Sequence, residues 1–155
     1  MIRAIDGFRQ DEEGDWAAEL SCLHNQHVRH TPPFQERPWV NSEAGRTGRL
    51  GSPIECPLCD RLELPADLEV VRTAGPFDAG SMPPGLQRSH LVAERTWGVL
   101  RVLDGAVVFS VETTPPRRIR VSAGEEQPIP PGVPHLVRFE EDGHFSIDFL
   151  RRPAS

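Results

Sequence analysis

The chain has 155 residues, 37% of them hydrophobic, with 16 Pro and 13 Gly, a balance that suits one turn-rich globular domain or two small ones. All 17 basic residues are Arg against 23 Asp and Glu, for a net charge of −6, and the absence of Lys excludes both a lysine Schiff base and the Walker lysine of a phosphate-binding loop. Residues 1–65 hold 7 Arg against 11 acidic residues and residues 66–155 hold 10 against 12, so neither half has the basic excess of a nucleic-acid binder.

No apolar run approaches the roughly 18 residues of a membrane span. The start, "MIRAIDGFRQDEEGDW", is acidic where a secretory leader is basic and then apolar. A cytoplasmic protein is therefore expected, with neither nucleic acid nor a membrane as partner.

In chain order, "WAAELSC" and "HVRH" read as strands around a short turn. "NSEAGRTGRL" predicts one or two helical turns capped by Asn41 or Ser42, weakened by its glycines. A join is expected in "LELPADLEV", around Pro65. Beyond it, "TWGVLRVLDG" predicts a strand closed by a glycine turn at Gly105. "AVVFSVE" sets Val107, Phe109 and Val111 on one face, and "RRIRVS" sets Ile119 and Val121 opposite Arg118 and Arg120. "HLVRFE" and "HFSIDFL" alternate in the same way. Short strands between Gly and Pro turns predict a small antiparallel barrel or sandwich.

Three Cys is an odd number, which favours metal ligation over a disulfide framework. "SCLHNQHVRH" carries Cys22, His24, His27 and His30, and "ECPLCD" carries Cys56 and Cys59 at the spacing of a zinc knuckle. A redox pair would open a longer helix than Pro57 and "DRLELP" allow. Cys22 is the third ligand expected. His24 is preferred as the fourth because the longer imidazole makes up for a short spacer, with His27 the close competitor and His30 a surface or supporting residue. Against this stands a plainer reading, in which the cysteines are small buried hydrophobes and the histidines surface polar groups. A site with four protein ligands is closed, which predicts a structural zinc stapling a segment with few large apolar side chains.

Residues 2–62, with "GFRQDEEGDW", the centre "CLHNQHVRHTPP" and the closing "CPLC", resemble a short bacterial family of uncharacterised function. Leu23 stands where that family has Gly. In the second half, Gly124, Pro130, Gly132 and His135 fit G-x5-P-x-G-x2-H, which resembles the second motif of cupins, with Phe139 in place of the family's Asn. Over residues 75–152, "GPFDAGSMPPGLQRSH", "TWGVLRVLDGAVVF" and "IPPGVPH" resemble the cupin-like domain ahead of the methyltransferase in tellurite-resistance protein B. His90, Trp97, Gly98, Gly105 and His135 match that domain in residue type. No glycine-rich loop for S-adenosylmethionine follows, so methyl transfer is not expected. These resemblances imply a mainly β chain: a zinc-ribbon-like module over 1–64, then a cupin-like antiparallel β-barrel over 65–155.

The resemblance brings His90 and His135 together in the barrel mouth. Two histidines can hold a second divalent metal, with Glu94 or Asp148 as a third ligand, or can hydrogen-bond a small molecule without metal. Trp97 is read as a barrel-core residue or a platform for a bound cofactor. Three functions follow. One is a zinc-stapled protein whose barrel binds a metal ion, an oxyanion or a small metabolite in a tellurite or metal stress response. The second is a metal-dependent cupin enzyme of oxygenase or isomerase type, and the third a protein–protein adaptor. Cupin-like domains often pair through their sheets, so a homodimer is an expected partner state.

Overall fold

The computed structural model describes residues 1–28 and 38–154. It divides into two compact units, Met1–Pro57 and Leu58–Ser155, and is mainly β, with antiparallel sheets and a half-barrel.

The first unit is built around β1 (Ile2–Gln10), flanked by β2 (Trp16–Leu20) on one side and β4 (Pro53–Glu55) on the other. β3 (Asn25–His27) completes a four-stranded sheet in the order β3-β2-β1-β4. β1 has no clean apolar alternation, since Asp6, Gly7 and Arg9 interrupt it. It is a strand because both its edges are paired, a long-range cause invisible in "IRAIDGFRQ". The helical turn expected near residue 42 is α1 (Glu43–Gly48), and Ser42 caps it by accepting a 3.0 Å hydrogen bond from the Gly45 N–H. His30 lies outside the described residues.

The second unit begins with β5 (Glu69–Phe77). β6 (Trp97–Val111), β7 (Arg117–Ser122), β8 (Glu126–Ile129) and β9 (His135–Arg151) follow. The sheet runs β5-β9-β6-β7, and β8 also pairs with β6. The strand expected to close at Gly105 instead runs on through that glycine to Val111, and the two strands expected in "HLVRFE" and "HFSIDFL" are halves of β9. The turn reading gives way to bulges: the β6–β9 register shifts three times between Val102 and Val107. Such bulges bend a long strand, so the first half of β6 pairs with β8 and the second with β7. Gly105 sits at the bend with φ of 71°, and a Cβ there would lie 2.7 Å from the Glu141 carbonyl. Val107, Phe109 and Val111 share the buried face their spacing predicts, and Leu100, Val137 and Phe145 are buried as well. Each such side chain, removed from water, contributes roughly 1.5–3 kcal/mol.

Candidate metal centre and ligand groove

Cys22, His24 and Cys56 sit where strands of the first unit end. β2 stops at Leu20, and a tight turn follows, closed by Leu23 N–H donating to the Leu20 carbonyl at 2.8 Å and Leu20 N–H to the His24 carbonyl at 3.0 Å. Leu23 takes φ of 72° to make this turn. That is a left-handed conformation costing a side chain roughly 1–2 kcal/mol, and it explains why glycine suits the position. On the other side of β1, Cys56 follows β4 directly, and its N–H bonds the Met1 carbonyl at 2.7 Å. Both ligand-bearing ends are thus pinned to the start of β1. A single helical turn, α2 (Pro57–Asp60), brings Cys59 back beside Cys56.

Cys22, His24, Cys56 and Cys59 are all buried, with their ligand atoms within 4.8 Å of one another. Cys22 Sγ lies 3.8 Å from Cys56 Sγ, and His24 Nδ1 lies 3.3 Å from the first sulfur and 3.5 Å from the second. A tetrahedral zinc with sulfur at roughly 2.3 Å and nitrogen at roughly 2.0 Å sets S···S at about 3.8 Å and S···N at about 3.5 Å. The donor set and its spacing therefore fit such an ion. His27 is not in this group; it is 55% exposed and lies 3.6 Å from the Asp11 carboxylate.

The second unit brings His90 and His135 together. The proline-braced turn after β8 delivers His135 to the start of β9, with Gly132 at φ of 66° donating its N–H to the Val92 carbonyl at 2.8 Å. His90 and His135 form an isolated antiparallel bridge, and their ring centroids are 4.2 Å apart. Each Nδ1–H donates to a carbonyl two residues back, His90 to Arg88 at 3.3 Å and His135 to Val133 at 3.2 Å. Both rings therefore leave Nε2 as the atom with the lone pair, the tautomer a metal-ligating histidine uses. Burial first, and the neighbouring His90 second, push the His135 pKa down to about 4 from 6.5, against the hydrogen bond it donates to the Val133 carbonyl.

Neither proposed third ligand joins them. Asp148 accepts hydrogen bonds from Arg101 Nε at 2.7 Å and Thr73 Oγ1 at 2.7 Å, and Glu94 is exposed in a loop. Among the described residues, no third His, Cys, Asp or Glu groups with the two histidines. Trp97 is 0% exposed, inside the core of its unit. Sequence reading missed the groove of about 740 Å³ beside His90, walled by β5, the end of β9 and the loop through Leu91 and Val92. β5 hid it, because "EVVRTAGPF" has no apolar period.

Residues 6–63 match the family described as "Protein of unknown function (DUF3565)", and residues 72–147 match the TehB-like domain. Among solved structures, a protein from E. coli (strain K12) is similar at 24% identity and a TM-score of 0.54, over 59% of this chain and 98% of its own. TehB from Haemophilus influenzae is similar at 20% identity and a TM-score of 0.51, over 56% of this chain but only 32% of TehB. At these identities the likeness of the TehB-like half is one of fold. No curated protein matches the chain. Among the described residues, no helix is long and apolar enough to cross a membrane.

Proposed function

We propose that this is a non-catalytic, zinc-stapled binding protein. Cys22, His24, Cys56 and Cys59 hold a structural zinc, and the TehB-like domain is a cupin-like barrel that binds a metal ion, an oxyanion or a small metabolite at His90 and His135. The TehB likeness supports a place in a tellurite or metal stress response. The observation that carries the zinc assignment is the spacing of the buried donors, with sulfurs 3.8 Å apart and a nitrogen 3.3 and 3.5 Å from them. Three uncharged thiols beside an imidazole gain little from this convergence, whereas thiolates around a divalent ion gain strong ligation. All four donors come from the protein, so the ion would leave no open position for substrate and would act as a crosslink between the ends of β2 and β4.

At the histidine pair, the tautomers support a ligand taken at Nε2. Two imidazoles without a carboxylate supply few donors for an oxygen-activating metal, which favours binding over turnover. Metal content per chain, measured by plasma mass spectrometry on protein purified without added metal, tests both sites. One zinc lost in Cys56→Ser and kept in His135→Ala is the expected result for the staple. A second ion lost only in His135→Ala would make the pair a metal site. A metal-free wild type would overturn the zinc assignment.

A further inference from the structure

The groove beside His90 has a one-sided chemistry. Its floor and walls include Ala74, Phe77, Leu86, Val92 and Ile147, and among the described residues its only charged side chains are Arg72 and Arg151. Among the described residues no Asp or Glu lines it, in a chain with 23 acidic residues against 17 basic. Each cation has an uncharged contact, although Glu69 stands across the β5–β9 pair from Arg151. The Arg72 guanidinium lies 4.3 Å above the Phe149 ring, and Arg151 Nε donates to Thr96 Oγ1 at 3.0 Å. Two other arginines on the same sheet are neutralised: Arg101 by Asp148 and Glu126, Arg120 by Glu140 and Glu141. Along β9, the groove face reads Ile147, Phe149, Arg151, two apolar residues followed by a cation. Two further wall residues, Val71 and Leu91, are 52% and 59% exposed; large apolar side chains left in water at a concave site mark a surface that something covers.

We infer that this groove binds a small amphipathic anion, an organic acid whose apolar body lies along Phe77, Ile147 and Leu91 and whose carboxylate or sulfonate meets Arg72 and Arg151. The cations give the site its selectivity. A neutral body of the same shape gains only the burial of apolar area, whereas an anion also gains charge-assisted hydrogen bonds from the two exposed guanidinium groups at the groove wall. An inorganic oxyanion alone would leave most of the apolar wall wet. The inference deepens the proposed function and rests on the TehB-like half being a ligand-binding module.

The test uses the full chain and two fluorescent probes with closely related ring systems, anionic anilinonaphthalene sulfonate and neutral phenylnaphthylamine. The expected result is one sulfonate probe per chain, bound at least tenfold more tightly than the neutral probe. Arg72→Gln and Arg151→Gln, each with an unchanged circular dichroism spectrum, should weaken the anion tenfold or more and leave the neutral probe unaffected. Ala74→Trp should fill the groove and exclude both. Equal binding of the two probes, or anion binding indifferent to both arginine variants, overturns the inference. So does a dimer in sedimentation whose dissociation by Val71→Asp is what admits either probe, since a second copy would then be the occupant. Zinc is measured in the same samples. One zinc with no probe bound would overturn the anion assignment and leave the staple standing; probe binding to a zinc-free chain would overturn the staple alone.

Discussion

His90 and His135 each donate a backbone N–H to the other's carbonyl at 3.0 Å, and their rings stand 4.2 Å apart. The reciprocal bridge fixes both backbones, and the Nδ1–H bonds fix both rings, so the pair is held before any ligand arrives. His135 is 2% exposed, while His90 reaches the groove wall. The buried ring thus backs the accessible one.

This burial has a pH signature. Unfolded, the His135 imidazole titrates near its usual 6.5; folded, it titrates near 4. Between those values the unfolded chain binds more protons, so stability is full above about 6.5, falls as the pH drops towards 4 and levels off below. The span corresponds to a loss of up to roughly 3 kcal/mol. Urea unfolding in the presence of a chelator should show this fall in the wild type and a flatter profile in His135→Gln. Parallel profiles would mean that His135 is not held neutral.

Zinc ligation makes the cysteines behave as one unit. In the purified protein, a chromogenic disulfide reagent should titrate few thiols until a chelator removes the metal, and all three should then react with zinc release in step. The same treatment should melt the first unit, because structural zinc in small modules supplies on the order of 10 kcal/mol of apparent folding free energy. Three thiols reacting at once without chelator would contradict ligation.

Two glycines with similar backbone angles should respond differently to alanine. Gly105 has φ of 71°, and a Cβ there would strike the Glu141 and Asp142 carbonyls across the β6–β9 bulge. Gly124 has φ of 85° with nothing within 4 Å of its Cβ position. Gly124→Ala should cost about 1 kcal/mol, the left-handed penalty alone, and Gly105→Ala about 3 kcal/mol or more, because backbone must also shift. Thermal melts of the two variants decide it; equal costs would mean that the bulge yields freely.

The Asp148 carboxyl is raised by burial but lowered further by the hydrogen bonds from Arg101 and Thr73, so its pKa lies below the usual range. Its stabilisation is present at neutral pH and lost as the pH falls through the carboxylate range. Asp148→Asn should cost about 1 kcal/mol at neutral pH and leave metal content unchanged. Loss of a metal ion in this variant would instead return Asp148 to the ligand set.

Several features are decided by chain-local physics and can be read without the fold. The Cys56–Cys59 spacing lets one helical turn present two sulfurs to one ion. The alternation in "AVVFSVE" assigns Val107, Phe109 and Val111 to a core face, and Gly132 with its flanking prolines fixes how His135 enters β9. Others depend on closure over long distances. His24 rather than His27 joins the cysteines because β2 and β4 both pair with β1, which sets where the turn at Leu23 can point. β1 and β5 carry no apolar period, and only their neighbours' hydrogen bonds make them strands. Arg101 meets Asp148, 47 positions away, through the β6–β9 pairing, which withdraws that carboxylate from the histidines. Arg72 and Arg151 are ordinary surface arginines in the sequence. Strand register alone sets them on one wall of an apolar groove, because pairing β5 against β9 places Arg72 across from Phe149 and Arg151 two residues beyond it on the same face.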